Sequence, residues 1–164
     1  MIKNLIFWQE PLRIAGPAAK DSVAAKLRAM LSTRQFGMHD RLTGTIDAGK
    51  GQVRVWKTTA LGNAGDVVEF DATLRAENGG TVIEGRLRYR LYTKIQFIGL
   101  LVMGAAMLLS GAFQKLHSTQ PNGDLLAIGG IVTFITLLWI YASSQMRHTQ
   151  IQFIEARLRE IVSN

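Results

Sequence analysis

The chain contains no cysteine. That removes disulfides, thiolate metal sites and a cysteine nucleophile from the readings open to it. Histidine is scarce, and His39, His117 and His148 share no metal-ligand spacing, so no metal site is expected. Charge is missing altogether from two stretches, Ile95–Gln114 and Leu125–Met146. With no Asp, Glu, Lys, Arg or His in either run, a transporter or proton relay made by this two-helix chain alone is not expected, because such sites need charged or strongly polar groups at depth. The first residues also lack a secretory leader. The apolar stretch Leu5–Trp8 is far shorter than the core of a signal peptide, and no small-residue cleavage site follows it. Membrane insertion is therefore expected to be directed from within the chain.

No catalytic constellation is present. Gly49-Lys50-Gly51 has a Gly-Lys pair but neither the four-residue spacing nor the following Ser/Thr of a P-loop, and reads as a hairpin turn. Ser110, Ser143 and Ser144 occupy apolar helix positions with no His or Lys of a triad near them in sequence. Glu69 and Asp71, two apart on one strand face, have the spacing of an acid/base pair. Each has an arginine opposite, which lowers a carboxylate's pKa and suits a spectator ion pair. The chain is expected to be non-enzymatic and to hold no cofactor.

What is present is dominated by the two uncharged runs. Each can cross a hydrocarbon core of roughly 30 Å at about 1.5 Å rise per residue. They predict a transmembrane helical hairpin over 95–146, with helices at about 95–114 and 125–146. A cytoplasmic α+β domain is expected before it at 1–94, and a cytoplasmic amphipathic helix after it at 147–164. Orientation follows from basic residues near the membrane ends. Arg86, Arg88, Arg90 and Lys94 precede the hairpin and Arg147, Arg157 and Arg159 follow it, against Lys115 alone in its loop. Domain and tail are thus both expected in the cytoplasm.

Before the hairpin, period-two patterning separated by glycine turns reads as strands. Leu12–Ala15 is a short strand, with a second one suggested at Ile2–Trp8. Pro17 suits the first turn of a helix that places Val23, Leu27, Met30 and Leu31 on one face. Strands follow over Phe36–Ile46, Gln52–Thr58, Val67–Ala76 and Thr81–Leu91, with turns at Gly49–Gly51, Gly62–Asp66 and Asn78–Gly80. In the last hairpin Val68, Phe70, Ala72 and Leu74 match Ile83, Leu87, Tyr89 and Leu91 on an apolar face. Glu69 and Asp71 oppose the arginines on the other face. A turn at Asn78-Gly79 sets Asp71 against Arg86 and Glu69 against Arg88, whereas a turn at Gly79-Gly80 sets them against Arg88 and Arg90. In the tail, Ile151, Ile154, Leu158 and Ile161 form a helical stripe. The predicted fold is an α+β membrane protein: an antiparallel β-meander of four to six strands, covered by an N-terminal and a C-terminal amphipathic helix. The transmembrane hairpin is inserted between the last strand and the last helix.

The 94 residues before the first run hold 15 Lys/Arg against 9 Asp/Glu, a surplus of six. Basic charge clustered at the membrane end of the domain favours anionic lipid headgroups over nucleic acid. Arg86, Arg88 and Arg90 project from one strand face and are the candidate contact for anionic lipid or an acidic partner. Small residues Gly104, Ala105, Ala106, Gly129 and Gly130 let helices approach closely, but no GxxxG occurs, so packing within the hairpin explains them as well as oligomerisation does.

Arg34–Gly37 (RQFG), Leu42–Ile46 (LTGTI) and Gly79–Gly85 (GGTVIEG), followed by two apolar helices and an amphipathic tail, resemble a loose group of small uncharacterised bacterial two-helix inner-membrane proteins. That resemblance implies a bacterial inner-membrane location and brings no activity and no catalytic residues. The expected partners are membrane lipids, with a protein partner or a homo-oligomer as further candidates and no nucleic acid. The expected role is a non-enzymatic partner-, lipid- or ligand-binding module. The alternatives are a structural accessory subunit of a larger membrane complex and a membrane-tethered enzyme.

Overall fold

The computed structural model describes residues 6–32, 40–47, 49–58, 67–117 and 123–163. Among them lie β1 (Gln9–Gly16), α1 (Lys20–Ser32), β2 (Arg41–Asp47), β3 (Gln52–Thr58), β4 (Val68–Glu77), β5 (Gly80–Tyr89), α2 (Leu91–His117) and α3 (Gly123–Ser163). The fold is α+β, with one five-stranded antiparallel sheet and three helices, two of them long and apolar. Strand order is β1-β5-β4-β3-β2. Strands β2 to β5 form the meander, while β1 pairs with β5, so α1 carries the chain from one sheet edge to the other.

The β4–β5 hairpin turns on Asn78 and Gly79, whose φ angles of 52° and 80° are both positive. Two central residues with φ > 0 define the type I′ turn, whose twist matches that of paired strands. This fixes the two-residue alternative, with Asp71 against Arg86 and Glu69 against Arg88. A one-residue slip would reverse both strand faces. Gly85 sits where β4 comes closest: a Cβ there would run into the Asp71 carbonyl and Ala72.

The chain divides into two compact units. One comprises Phe7–Arg90 and Met146–Asn164, and the other Leu91–Gln145 with the first residues. In the sheet unit, Ile14, Val53, Val55, Phe70, Leu74, Ile83 and Leu87 line the apolar sheet face. Val23 and Leu27 of α1 and Ile154, Leu158, Ile161 and Val162 of α3 cover it, all buried. Both amphipathic stripes therefore meet the sheet. Gln150 fastens the cover by accepting hydrogen bonds from the Val67 and Val68 amides at 3.3 and 3.0 Å. The Ala18 amide donates to the Val162 carbonyl at 3.2 Å.

In the helical unit, Gly104, Gly111 and Gly129 lie where a Cβ would strike the facing helix. Gly99 and Gly130 have open space around them. The hairpin's own packing thus uses some of its small residues and not others. Phe97 meets Trp139 edge-on at 6.1 Å and clusters with Ile6, Leu101 and Ile140. Ser143 is buried, and the Ser144 hydroxyl donates to the Tyr141 carbonyl at 2.7 Å.

Several boundaries differ from the sequence expectation. Strand β1 runs over Gln9–Gly16, beyond Leu12–Ala15, because pairing with β5 recruits its polar ends. Helix α1 begins at Lys20 rather than at Pro17. The Ala18 carbonyl accepts from the Thr81 hydroxyl at 2.6 Å, and with its amide bound to Val162 the backbone there is held outside the helix. Helix α2 starts at Leu91, four residues before the uncharged run, since helix formation does not require apolar residues. The second apolar run and the tail are one helix of 41 residues. Between Gly130 and Ser163 there is no Gly or Pro, so the change from apolar to amphipathic composition has nothing to break it. The expected features at Ile2–Leu5, Arg34–His39 and Gly62–Asp66 lie outside the described residues.

Candidate functional site

The charged face of the sheet is built by the strand positions that alternate with the core. The β-pairing sets Trp56 of β3, Glu69 of β4 and Arg88 of β5 side by side, and next to them Arg54, Asp71 and Arg86. Arg88 is held by two carboxylates: its Nε donates to Glu69 at 2.9 Å and its Nη2 to Asp71 at 2.8 Å. Arg54 adds a longer bond to Asp71 at 3.4 Å. Glu69 is largely buried and serves as the inner anion of this network. Arg13 and Glu77 form a further ion pair, at 2.9 Å, on the β1 side. Charge-assisted bonds of this kind fix side-chain positions, while partly exposed pairs add little stability, with medians of about 0–1 kcal/mol.

The three arginines of the row are therefore not equivalent. Arg88 is occupied by Glu69 and Asp71. Arg86 is exposed and donates to Gln9 over 3.4 Å. It borders a shallow groove floored by Gly85 and flanked by Gln52, Thr73 and Glu84. Arg90 lies over Trp56, its guanidinium carbon 4.4 Å from the ring centre. The row shares one sheet face as its spacing requires, but each guanidinium has a different setting. Glu69 and Asp71, the candidate acid/base pair, are the anions of the Arg88 network.

Residues that the sequence did not mark gather at the same end of the sheet. Trp8, just before β1, packs on Tyr89 with ring centroids 5.7 Å apart. Arg147 of α3 lies over the Trp8 ring, 4.6 Å from its centroid. Tyr89 is almost fully buried, and desolvation raises its phenol pKa, opposed by the charge and hydrogen bond of Arg147. Lys57 lies on the apolar face of β3, almost fully buried, where it pairs with Asp40 and sits 5.0 Å from the Phe153 ring. Most of these partners are far apart in sequence, so only the strand register and the returning helix bring them together. The one visible signal is that Trp8 directly precedes β1 and Tyr89 ends β5, with Trp56 near the end of β3, at the end of the sheet from which the chain passes into α2.

Among the described residues no cluster of three or more His, Asp or Glu side chains could hold a metal ion. No family model and no curated protein matches the chain. Among solved structures it is similar to "Crystal structure of Ara h 8.0201", at 12% sequence identity and a TM-score of 0.34, over 77% of this chain and 97% of that one. A likeness at that score carries no inference about fold or function.

Proposed function

We propose that the chain is a non-enzymatic, membrane-anchored binding module. In this reading α2 and the apolar part of α3 cross a bilayer as a hairpin. The sheet unit faces the cytoplasm of a bacterial cell and meets an anionic surface through the end that bears Arg86, Arg88 and Arg90. The observation that carries the reading is the apolar surface the two helices leave uncovered. Ile98, Val102, Met103, Leu109 and Phe113 of α2 and Ile131, Phe134, Ile135 and Leu138 of α3 are all exposed. Water-soluble monomers seldom expose contiguous apolar patches beyond a few hundred Å², and hydrocarbon is the solvent that suits such a surface. Both segments are helical, which satisfies their backbone groups internally, as a bilayer demands.

The orientation rests on the seven basic residues flanking the hairpin against one in its loop. Alkaline phosphatase is active only outside the cytoplasm. Fused to the C-terminus it should be inactive, and inserted near Pro121 it should be active. The opposite pattern would overturn the topology.

A second reading, an accessory subunit of a larger membrane complex, is favoured by the bare backbone at Gly99 and Gly130, where a Cβ would find nothing within 4 Å. Pull-down in mild detergent separates the two. A stoichiometric partner lost on Gly99→Leu and Gly130→Leu, yet kept on altering Arg86, Arg88 and Arg90, points to the subunit.

A further inference from the structure

Two arginine–tryptophan stacks stand at the end of the sheet where the chain leaves for α2 and returns along α3. On the charged sheet face, Arg90, the last residue before α2, lies over Trp56. On the helix-covered face, Arg147, at the start of the α3 segment that belongs to the sheet unit, lies over Trp8, which packs on Tyr89. The last two residues before α2, Tyr89 and Arg90, thus carry one stack on each side of the sheet.

The stacks are preorganised. Trp8 and Trp56 are half-buried, so their rings are fixed by packing, and each holds a guanidinium by its flat face. Phosphate binds a guanidinium through its in-plane N–H edge, so stacking and phosphate binding use different parts of the group. Arg147 has no carboxylate partner among the described residues, and its Nε is buried with no hydrogen-bond acceptor. Its charge is balanced by nothing that the described part of the fold supplies.

We infer that these two stacks form a collar for the phosphate groups of anionic phospholipids, with Arg90 and Arg147 as the binding cations and Trp56 and Trp8 as their supports. This rests on the membrane reading above. It moves the weight of lipid contact away from Arg88, which Glu69 and Asp71 occupy, to an arginine the row does not contain.

The test uses tryptophan fluorescence of the full chain in phosphatidylcholine vesicles containing phosphatidylglycerol. The chain has three tryptophans, and Trp139 lies in the apolar part of α3. Trp139→Phe leaves Trp8 and Trp56 as reporters. Brominated phosphatidylglycerol should quench them at lower mole fraction than brominated phosphatidylcholine. The quenching curves should give a local enrichment on the order of tenfold, as two basic side chains near a surface predict. Arg90→Gln with Arg147→Gln should bring the ratio towards one, and Arg86→Gln should leave it. Equal quenching by the two lipids in the Trp139→Phe chain overturns the collar, as does full preference once both arginines are also changed. Trp8→Phe with Trp56→Phe leaves Trp139 as the reporter of the apolar helix. If Trp139 is untouched by either lipid, the membrane reading fails. If Trp139 is quenched but Trp8 and Trp56 show no preference, only the collar fails.

Discussion

Tyr89 shows how a single residue reports its surroundings. Burial raises its phenol above the ordinary value of 10.0, and the opposing pull of Arg147 does not cancel that effect. The folded chain therefore holds the Tyr89 proton more tightly than the unfolded chain does. Such a group contributes its full stability below the unfolded pKa and loses it as pH rises through the folded one. Thermal unfolding followed at increasing pH should show a loss of stability beginning above pH 10. Tyr89→Phe should make that loss shallower, and an unchanged slope would mean that Tyr89 is not its source. That Glu69 and Asp71 oppose arginines on this face could be read from sequence, because period two puts them there. Which of them faces Arg88 stays open in the sequence between two turn positions, and the positive φ of Asn78 and Gly79 decides it. The stack of Arg90 on Trp56 could not be read from sequence, because it joins strands whose pairing depends on a connection outside the local pattern.

Among the elements, the two long helices divide their small residues by role. Gly104 is buried against Thr133, and a side chain there would meet that hydroxyl and its backbone. Gly99, on the same helix, has nothing within 4 Å. Gly104→Leu should therefore separate the hairpin helices and lower the melting temperature of the detergent-solubilised chain, as overpacking costs typically about 1–3 kcal/mol. Gly99→Leu should leave it within error, unless a partner helix occupies that face. Equal effects of the two changes would contradict the hairpin packing. The existence of both helices was plain from the absence of charge over two long runs. The joining of the second apolar run to the tail was not, because a shift in hydropathy looks like a boundary although α3 has no residue able to end it there.

For the whole molecule, the architecture was legible where local signals and periodicity agreed: the meander, its turns at Gly49–Gly51 and Asn78–Gly80, the two apolar helices and both amphipathic covers. It was not legible in the strand order, since nothing near β1 announces that it pairs with the last strand rather than the next. Ile154 and Leu158 are fully buried in the sheet unit although they follow both apolar runs in sequence. Truncating a buried Ile or Leu to Ala costs about 2–5 kcal/mol. Ile154→Ala with Leu158→Ala should therefore render the sheet unit protease-sensitive and lower its unfolding midpoint. Gln152→Ala, at an exposed position on the same helix, should leave both unchanged. Full protease resistance in the double variant would mean that α3 does not close the core. The bond from the Ala18 amide to the Val162 carbonyl carries this arrangement into the order of biosynthesis. The ribosome makes the five strands first, then both apolar segments, and only afterwards the stretch that covers the sheet. Until that stretch emerges, Val53, Phe70 and Leu87 lack part of their cover, and closing so long a loop is slow. Maturation of the sheet unit must therefore wait until both apolar segments and the rest of α3 have been made, and a nascent chain stalled before α3 is complete should be a substrate for chaperones and proteases.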